Sequence, residues 1–169
     1  LMATLYHRIG FLDPGWKKAG TGQKKGGDAG VVSAVDLYGA HEFTNERKVV
    51  AWPPADGTNV PVLFQDENPD PVPGDDPAGC PVTLSFFGGG TITKARGRLS
   101  ENGRDVACWV TSPADPARKD RAENGNSVCL IPKSPLKART TYSVKVEAVV
   151  DGEAVTKEWS FTTTPTAKR

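Results

Sequence analysis

From residue 49 to residue 163 the chain is a succession of short β-prone runs, separated by turns that contain proline or glycine. The runs cover residues 49–52, 60–64, 82–87, 91–99, 106–111, 127–131, 142–150 and 155–163. No segment in this part has the 3.6-residue apolar period of an amphipathic helix. Because strands that bury one face must pack that face against another layer, about seven short strands predict a β-sandwich.

The turns between these runs carry the residue types that tight turns require. Asp56 and Gly57 follow two prolines, and proline presets φ while Asp-Gly tolerates a positive φ. Asp151 and Gly152 separate the last two runs and form the residue pair of a type I′ hairpin turn. The content of 18 glycines and 14 prolines is that of a turn-rich β protein.

Alternation in the last two runs identifies a candidate core. Tyr142, Val144 and Val146 share one face of a strand, and Trp159 and Phe161 share one face of its neighbour. We expect these side chains to interdigitate with those of a second sheet about 10 Å away.

The charge balance excludes two classes of partner. Lys plus Arg is 21 and Asp plus Glu is 20, so the net charge of +1 provides no attractive field for nucleic acid or anionic lipid.

No apolar run approaches the roughly 20 residues that a membrane-spanning helix needs. The chain opens at Leu1, and we expect it to continue a longer precursor.

The N-terminal stretch resembles a segment of a known superfamily. Residues 7–16 read HRIGFLDPGW and residues 20–22 read GTG. This is similar to the "HR..IL.P.....G.G" segment of bacterial CAP-superfamily proteins, which include cysteine-rich secretory, antigen 5 and pathogenesis-related proteins. In that superfamily the segment leaves a helix, turns and enters a late strand of an α-β-α sandwich, so the resemblance makes 31–37 the closing strand.

A second resemblance lies at the C-terminal end. Residues 130–132 read LIP, 140–144 read TTYSV and 159–163 read WSFTT. They look like the "L.P...L...T.Y.V.V.......W.F.T" ending of bacterial Ig-like and fibronectin-type modules.

Together the two resemblances imply a secreted bacterial CAP protein with a C-terminal Ig-like domain. The expected fold is mainly β: an incomplete CAP segment over 1–47 (a short helix end plus strands), an Ig-like sandwich of about seven strands over 48–165, and a tail over 166–169.

His7 is the candidate metal ligand that the CAP resemblance implies. The matching histidine of the superfamily lines a cavity with a second histidine and two acidic residues, an arrangement proposed to bind a divalent metal. A metal site needs three or four converging ligands. The expected partners lie upstream of Leu1, and His41 is the one other histidine. A polar or hydrogen-bonding role is the alternative for His7, and we predict no bound cofactor.

Other motifs favour structural roles. No Gly-x-Ser-x-Gly motif is present, and Asn45 occupies the second ligand position of a zincin-like motif that begins at His41. Glycines 88–90 lead into a strand, which predicts a tight turn, whereas a phosphate-binding loop opens a helix.

The acidic loop 66–79 offers carboxylates to Ca²⁺, but its prolines extend the chain, which favours a solvated loop. The connection 112–126 is a candidate binding loop.

The three cysteines leave two states open. Cys108 and Cys129 flank the connection 112–126, and a disulfide between them requires neighbouring strands with their Cα atoms 4.4–6.8 Å apart. Three reduced, mostly buried thiols, including Cys80, are the state that the odd count favours.

Two functions from different classes follow from these patterns. The first is a non-catalytic binding or spacer module at a bacterial cell surface or outside the cell, with an unidentified extracellular ligand or protein as its partner. The second is an accessory part of a CAP-type hydrolase or metal-binding protein whose cavity lies mostly upstream.

Overall fold

In a computed structural model the chain is mainly β, as the sequence predicts. The structure describes residues 2–26, 30–37, 41–43, 45–74, 77–117 and 125–165. The elements are α1 (Tyr6–Phe11), β1 (Gly20–Gly26), β2 (Gly30–Asp36), β3 (Lys48–Trp52), β4 (Gly57–Val60), β5 (Val82–Phe87), β6 (Ile92–Glu101), β7 (Arg104–Val106), β8 (Cys108–Thr111), β9 (Ser127–Pro132), β10 (Thr141–Val150) and β11 (Glu153–Thr163).

Two sheets pack face to face to form the sandwich. One is five-stranded, in the order β4-β11-β10-β6-β7, and the other is four-stranded, in the order β3-β5-β9-β8. The β4–β11 pair is parallel and the other pairs are antiparallel. This distribution of strands is that of an immunoglobulin-like sandwich.

The described part of the sandwich has nine strands, whereas about seven were predicted. The predicted strand over 106–111 divides at Ala107 into β7 and β8, which belong to different sheets. The predicted strand over 60–64 is wrong, because β4 ends at Val60 and the residues beyond it contribute an isolated bridge at Leu63. The predicted Asp151-Gly152 turn is confirmed, since both residues have positive φ angles of 52° and 84° between β10 and β11.

The core between the sheets contains the side chains that alternation identified. Tyr142, Val144, Val146 and Phe161 are at most 2 % exposed, and Trp159 is 7 % exposed. The Trp159 indole N–H donates to the Pro53 carbonyl at 2.9 Å, which satisfies its polar atom inside the core.

Tyr142 also fixes the connection between the sheets. Its hydroxyl oxygen accepts a hydrogen bond from the backbone N–H of Lys137 at 2.9 Å. A buried tyrosine near the start of this strand that bonds back to the backbone a few residues upstream is the tyrosine corner of immunoglobulin-like domains. The Tyr142–Lys137 contact and the strand order of the two sheets therefore indicate the same type of sandwich.

A second apolar cluster covers the outer face of the four-stranded sheet. It contains Leu5, Val72, Ala78, Cys129 and Ile131. The sheet is therefore buried on both sides, which explains why every residue of β9 is buried while β10 alternates between buried and more exposed positions. The acidic loop 66–79 was predicted to be solvated, and this is wrong for Val72 and Ala78, which lie in this cluster.

Residues 3–9 contact the sandwich, whereas β1 and β2 form a separate antiparallel hairpin. Ala3 belongs to the main core, and Leu5, Tyr6 and Ile9 pack in the second cluster. The two hairpin strands are exposed along nearly their whole length. The boundary at residue 47 stays a prediction.

The cysteine geometry excludes the Cys108–Cys129 bridge. Their strands are neighbours, as that pairing requires, but Cys108 lies opposite Pro132 and Cys129 lies opposite Thr111. The three-residue offset places the two side chains on opposite faces of the sheet. Cys80, Cys108 and Cys129 are free thiols, and burial raises the pKa of Cys108 and of Cys129 to about 12.

Candidate functional site

His7 makes a structural contact with a buried carboxylate. Its Nδ1 atom lies 2.9 Å from Oε2 of Glu67, and the His7 side chain is 49 % exposed while the Glu67 side chain is 0 % exposed. Among the described residues no group of three or more His, Cys, Asp or Glu side chains comes together in a way that would hold a metal ion. Metal binding by His7 stays a prediction that depends on further ligands.

Glu67 caps the first turn of α1, although the two lie about 60 residues apart in the chain. Its carboxylate accepts hydrogen bonds from the backbone N–H groups of Leu5, of Tyr6 at 3.0 Å and of His7 at 3.3 Å. Leu5, at the N-cap position, provides no side-chain cap. A carboxylate in this position satisfies free N–H groups and interacts favourably with the helix dipole. Glu67 therefore holds the helix against the sandwich.

Arg8 attaches the same helix from its buried side. The side chain is 0 % exposed, and its Nη1 donates to the carbonyl oxygens of Met2 and Pro81, each at 3.0 Å. The guanidinium carbon lies 5.9 Å from the centre of the Trp52 ring. Burial lowers the pKa of Arg8, and neighbouring thiols and Glu67 partly offset that effect. Arg8 is therefore a buried anchor of the helix.

Asp13 and His41 form an acid–base pair that was not predicted from the sequence. His41 Nε2 lies 2.8 Å from Asp13 Oδ2, and Asp13 Oδ1 accepts the Gly15 N–H at 2.8 Å. A Cβ atom on Gly15 would lie 2.4 Å from His41 Nε2, so glycine permits the approach. Trp16 and Phe43 pack on the ring with centroid distances of 4.6 and 4.5 Å.

This pair borders a cavity of about 230 Å³ that Lys48 and Phe87 also line. Nδ1 of His41 has no hydrogen-bond partner within the described part of the chain. A hydrolase of the Ser-His-Asp type needs a nucleophile bonded to that second ring nitrogen. The Asp13–His41 contact orients the imidazole, but the described residues do not complete a catalytic triad.

The remaining sequence candidates have structural roles or lie partly outside the described residues. Glycines 88–90 have φ angles between 81° and 109° in the short connection from β5 to β6, and they lead into a strand, as the sequence predicts. Asp70 accepts the Val72 N–H at 2.8 Å, which is a local turn contact. Asp75, Asp76 and residues 118–124 of the candidate binding loop lie outside the described residues.

The side of β6, β10 and β11 that points away from the core is a broad polar surface, which we call the outer face. One row across the strands consists of Ser100, Ser143 and Ser160. Ser160 donates to Asp56 at 3.2 Å, at the edge of this row. Shallow grooves of about 680 Å³ and 530 Å³ lie along the face.

The next row of the outer face is charged and internally paired. Lys145 lies between Arg98 on β6 and Glu158 on β11. Its ammonium group is 3.2 Å from Glu147 and 3.4 Å from Glu158, and these contacts raise the pKa of Lys145. Hydroxyl groups and fixed charges of both signs can bind a polar ligand, but they provide no nucleophile–base pair.

No protein-family model matches this chain, and no curated protein matches it. No helix among the described residues is long and apolar enough to cross a membrane. Because no family model matches, the resemblance to CAP proteins depends on the residues quoted for it.

Proposed function

We propose that this chain is a non-catalytic binding or spacer module of a CAP-type protein located outside the cell or at the bacterial cell surface. The single observation that supports a binding role is the difference between the two sheets. The four-stranded sheet is covered on its outer side by residues 5–9 and by Phe64, Val72 and Ala78, whereas the outer face of the five-stranded sheet is exposed among the described residues. Its partner is an extracellular ligand or protein with a polar surface.

Rigidity supports the same role. Strands β6, β10 and β11 are paired along nearly their full length, and their inner side chains are core residues such as Leu99, Val146 and Phe161. Side chains on such strands are held in place before binding, which reduces the entropy lost on association. The outer face thus presents its serines and charges in a fixed arrangement.

The experiment measures retention of the labelled chain on purified bacterial cell walls and on intact cells. Ser143→Trp fills the serine row, and because Ser143 is exposed the fold should tolerate the substitution. We expect saturable binding by the wild type and an affinity at least about tenfold lower for the variant. Lys157→Gln, an exposed substitution on β11 outside the serine row, is the matched control. Equal retention of all three proteins contradicts a binding role for the outer face.

The alternative, an accessory part of a CAP-type hydrolase or metal-binding protein, has the Asp13–His41 pair in its favour. A histidine that donates one ring N–H to a carboxylate is also the arrangement found around catalytic and metal-ligating histidines. This alternative predicts that His41→Gln changes metal affinity or hydrolysis in the full-length protein while leaving binding to cell walls intact.

A further inference from the structure

The five-stranded sheet has an open edge on β6. Strand β7 pairs with residues 99–101 of β6 and with no earlier residue. On that side, residues 92–98 pair with no strand in the described part of the chain, and the backbone contacts outside the sheets do not reach them. Unpaired N–H and C=O groups of an edge strand are a template for another strand.

The sheet has a second open edge, on β11, but that edge is protected. Strand β4 pairs with β11 at Phe161 and Thr163, and residues 153–159 have no strand partner on that side in the described part of the chain. Lys157 lies opposite the buried Val146 and thus occupies an inward-facing position, yet it is exposed. A charge that points inward at an edge opposes strand addition. On β6 the inward positions of the open stretch are Ile92, Ala95 and Gly97, which carry no charge.

The side chains of β6 define what an added strand would carry. Lys94, Arg96 and Arg98 alternate on the outer side, about 6.6–6.8 Å apart. Lys94 and Arg96 form no ion pair among the described residues, and Arg98 contacts Asp105. Glu147, opposite Arg96, is 3.2 Å from Lys145 and is thereby engaged. Lys94 and Arg96 are therefore unpaired cations on the outer face of β6, next to the outer-face positions that an added strand would occupy.

The inner side of the same edge is apolar. Ala95, Cys108 and Val110 are partly buried and pack against the main core. Cys108 and Val110 belong to β8, the last strand of the four-stranded sheet on this side. Small apolar side chains of an added strand would cover these residues, while its alternate side chains would lie beside Lys94 and Arg96.

We propose that the open edge of β6 binds an extended acidic peptide segment of a partner protein by strand addition. In that segment acidic residues alternate with small apolar residues, and its backbone hydrogen bonds to residues 92–98. This goes beyond the proposed role of the outer face, because the contact is made by a strand edge and specifies the class of partner.

The test uses the full chain and a fluorescent, capped peptide of about seven residues in which glutamate alternates with valine or threonine. We expect saturable binding, and a loss of about 2- to 30-fold in affinity when Lys94 and Arg96 are both replaced by glutamine. Lys24→Gln removes an exposed cation from β1, which belongs to a separate sheet, and is the matched control, with affinity unchanged. A peptide N-methylated at alternate amides keeps its charges but cannot complete the strand ladder, and it should not bind.

Three results would overturn this proposal. One is the absence of saturable binding at millimolar peptide. Another is equal affinity of the N-methylated peptide, which would reduce the contact to charge attraction. The third is loss of peptide binding in the Ser143→Trp variant with retention in the Lys94 and Arg96 double variant, which would place the peptide on the outer face. Failure of cell-wall binding alone would contradict the proposed function and leave the peptide result standing.

Discussion

Replacing Glu67 by glutamine should weaken the attachment of the N-terminal helix. The substitution keeps the shape of the side chain but removes its charge, and it places an NH₂ group near the backbone donors of Leu5, Tyr6 and His7. Hydrogen bonds to a charged group contribute about 1.5–3 kcal/mol, and loss of a helix cap costs about 0.5–2 kcal/mol. Because the Glu67 side chain is 0 % exposed, solvent cannot replace the lost contacts. We expect a net cost of about 2–3 kcal/mol.

Two measurements separate a local from a global effect. Hydrogen exchange at the Tyr6 and His7 amides reports opening of α1, and the expected cost corresponds to a loss of protection of about 30- to 150-fold. Denaturant unfolding followed by tryptophan fluorescence reports the sandwich. Helix residues share the second cluster with Cys129 and Ile131, so we expect part of the cost to appear in global stability.

Glu158→Gln is the matched control. Glu158 is 64 % exposed and lies 3.4 Å from Lys145, so its replacement should cost less than about 0.5 kcal/mol. If Glu67→Gln lowers amide protection and stability no more than Glu158→Gln does, the argument that Glu67 anchors the helix is refuted.

Three further predictions follow. Trp159→Ala should cost about 3–5 kcal/mol and Trp159→Phe, which removes the bond to Pro53, about 1 kcal/mol by denaturant unfolding; a loss under about 1 kcal/mol for alanine would show that the indole is not a core residue. Thiol titration without reductant should count three free thiols in denaturant and slow reaction in the native state, because burial raises the pKa of Cys129 to about 12; one free thiol would contradict this. The pKa of Asp151 is lowered mainly by a hydrogen bond from the backbone N–H of Thr91 and to a smaller extent by the contact with Arg47. The charged form of Asp151 therefore stabilises the fold at pH values above its ordinary pKa of 3.8, and this contribution disappears as the pH falls through the lowered pKa. Asp151→Asn should therefore reduce stability at pH 7 more than at pH 3, and an equal reduction at both would show that the charge is not involved.

Strand alternation was the part of the fold that the sequence predicted best. The inward sides of β10 and β11 were assigned correctly, because a strand presents alternate residues to opposite faces and one face must be buried. The last hairpin was also located correctly, because a type I′ turn restricts its two central residues to very few types. Both signals are contained within a few neighbouring residues.

The contacts of the candidate site could be predicted from the sequence less well than the strands. His7 was selected by resemblance, but nothing near it in sequence indicates Glu67, and the Asp13–His41 contact joins residues 28 positions apart. The disulfide alternative failed for a related reason. The pairing required neighbouring strands, which the structure provides, but the register that separates Cys108 from Cys129 depends on how β8 and β9 align along their whole length.

The sequence by itself determined that this chain forms short, turn-linked strands with defined inner faces, because periodicity and turn chemistry act within a few residues of each other. Tertiary structure alone decided which sheet is covered on its outer side. The cover is assembled from Leu5 and from Val72 and Ala78 of a proline-rich loop, whose sequences have no common period. Helix α1 is held there by Glu67 and Arg8, since a buried carboxylate and a buried guanidinium find their partners only when distant segments meet.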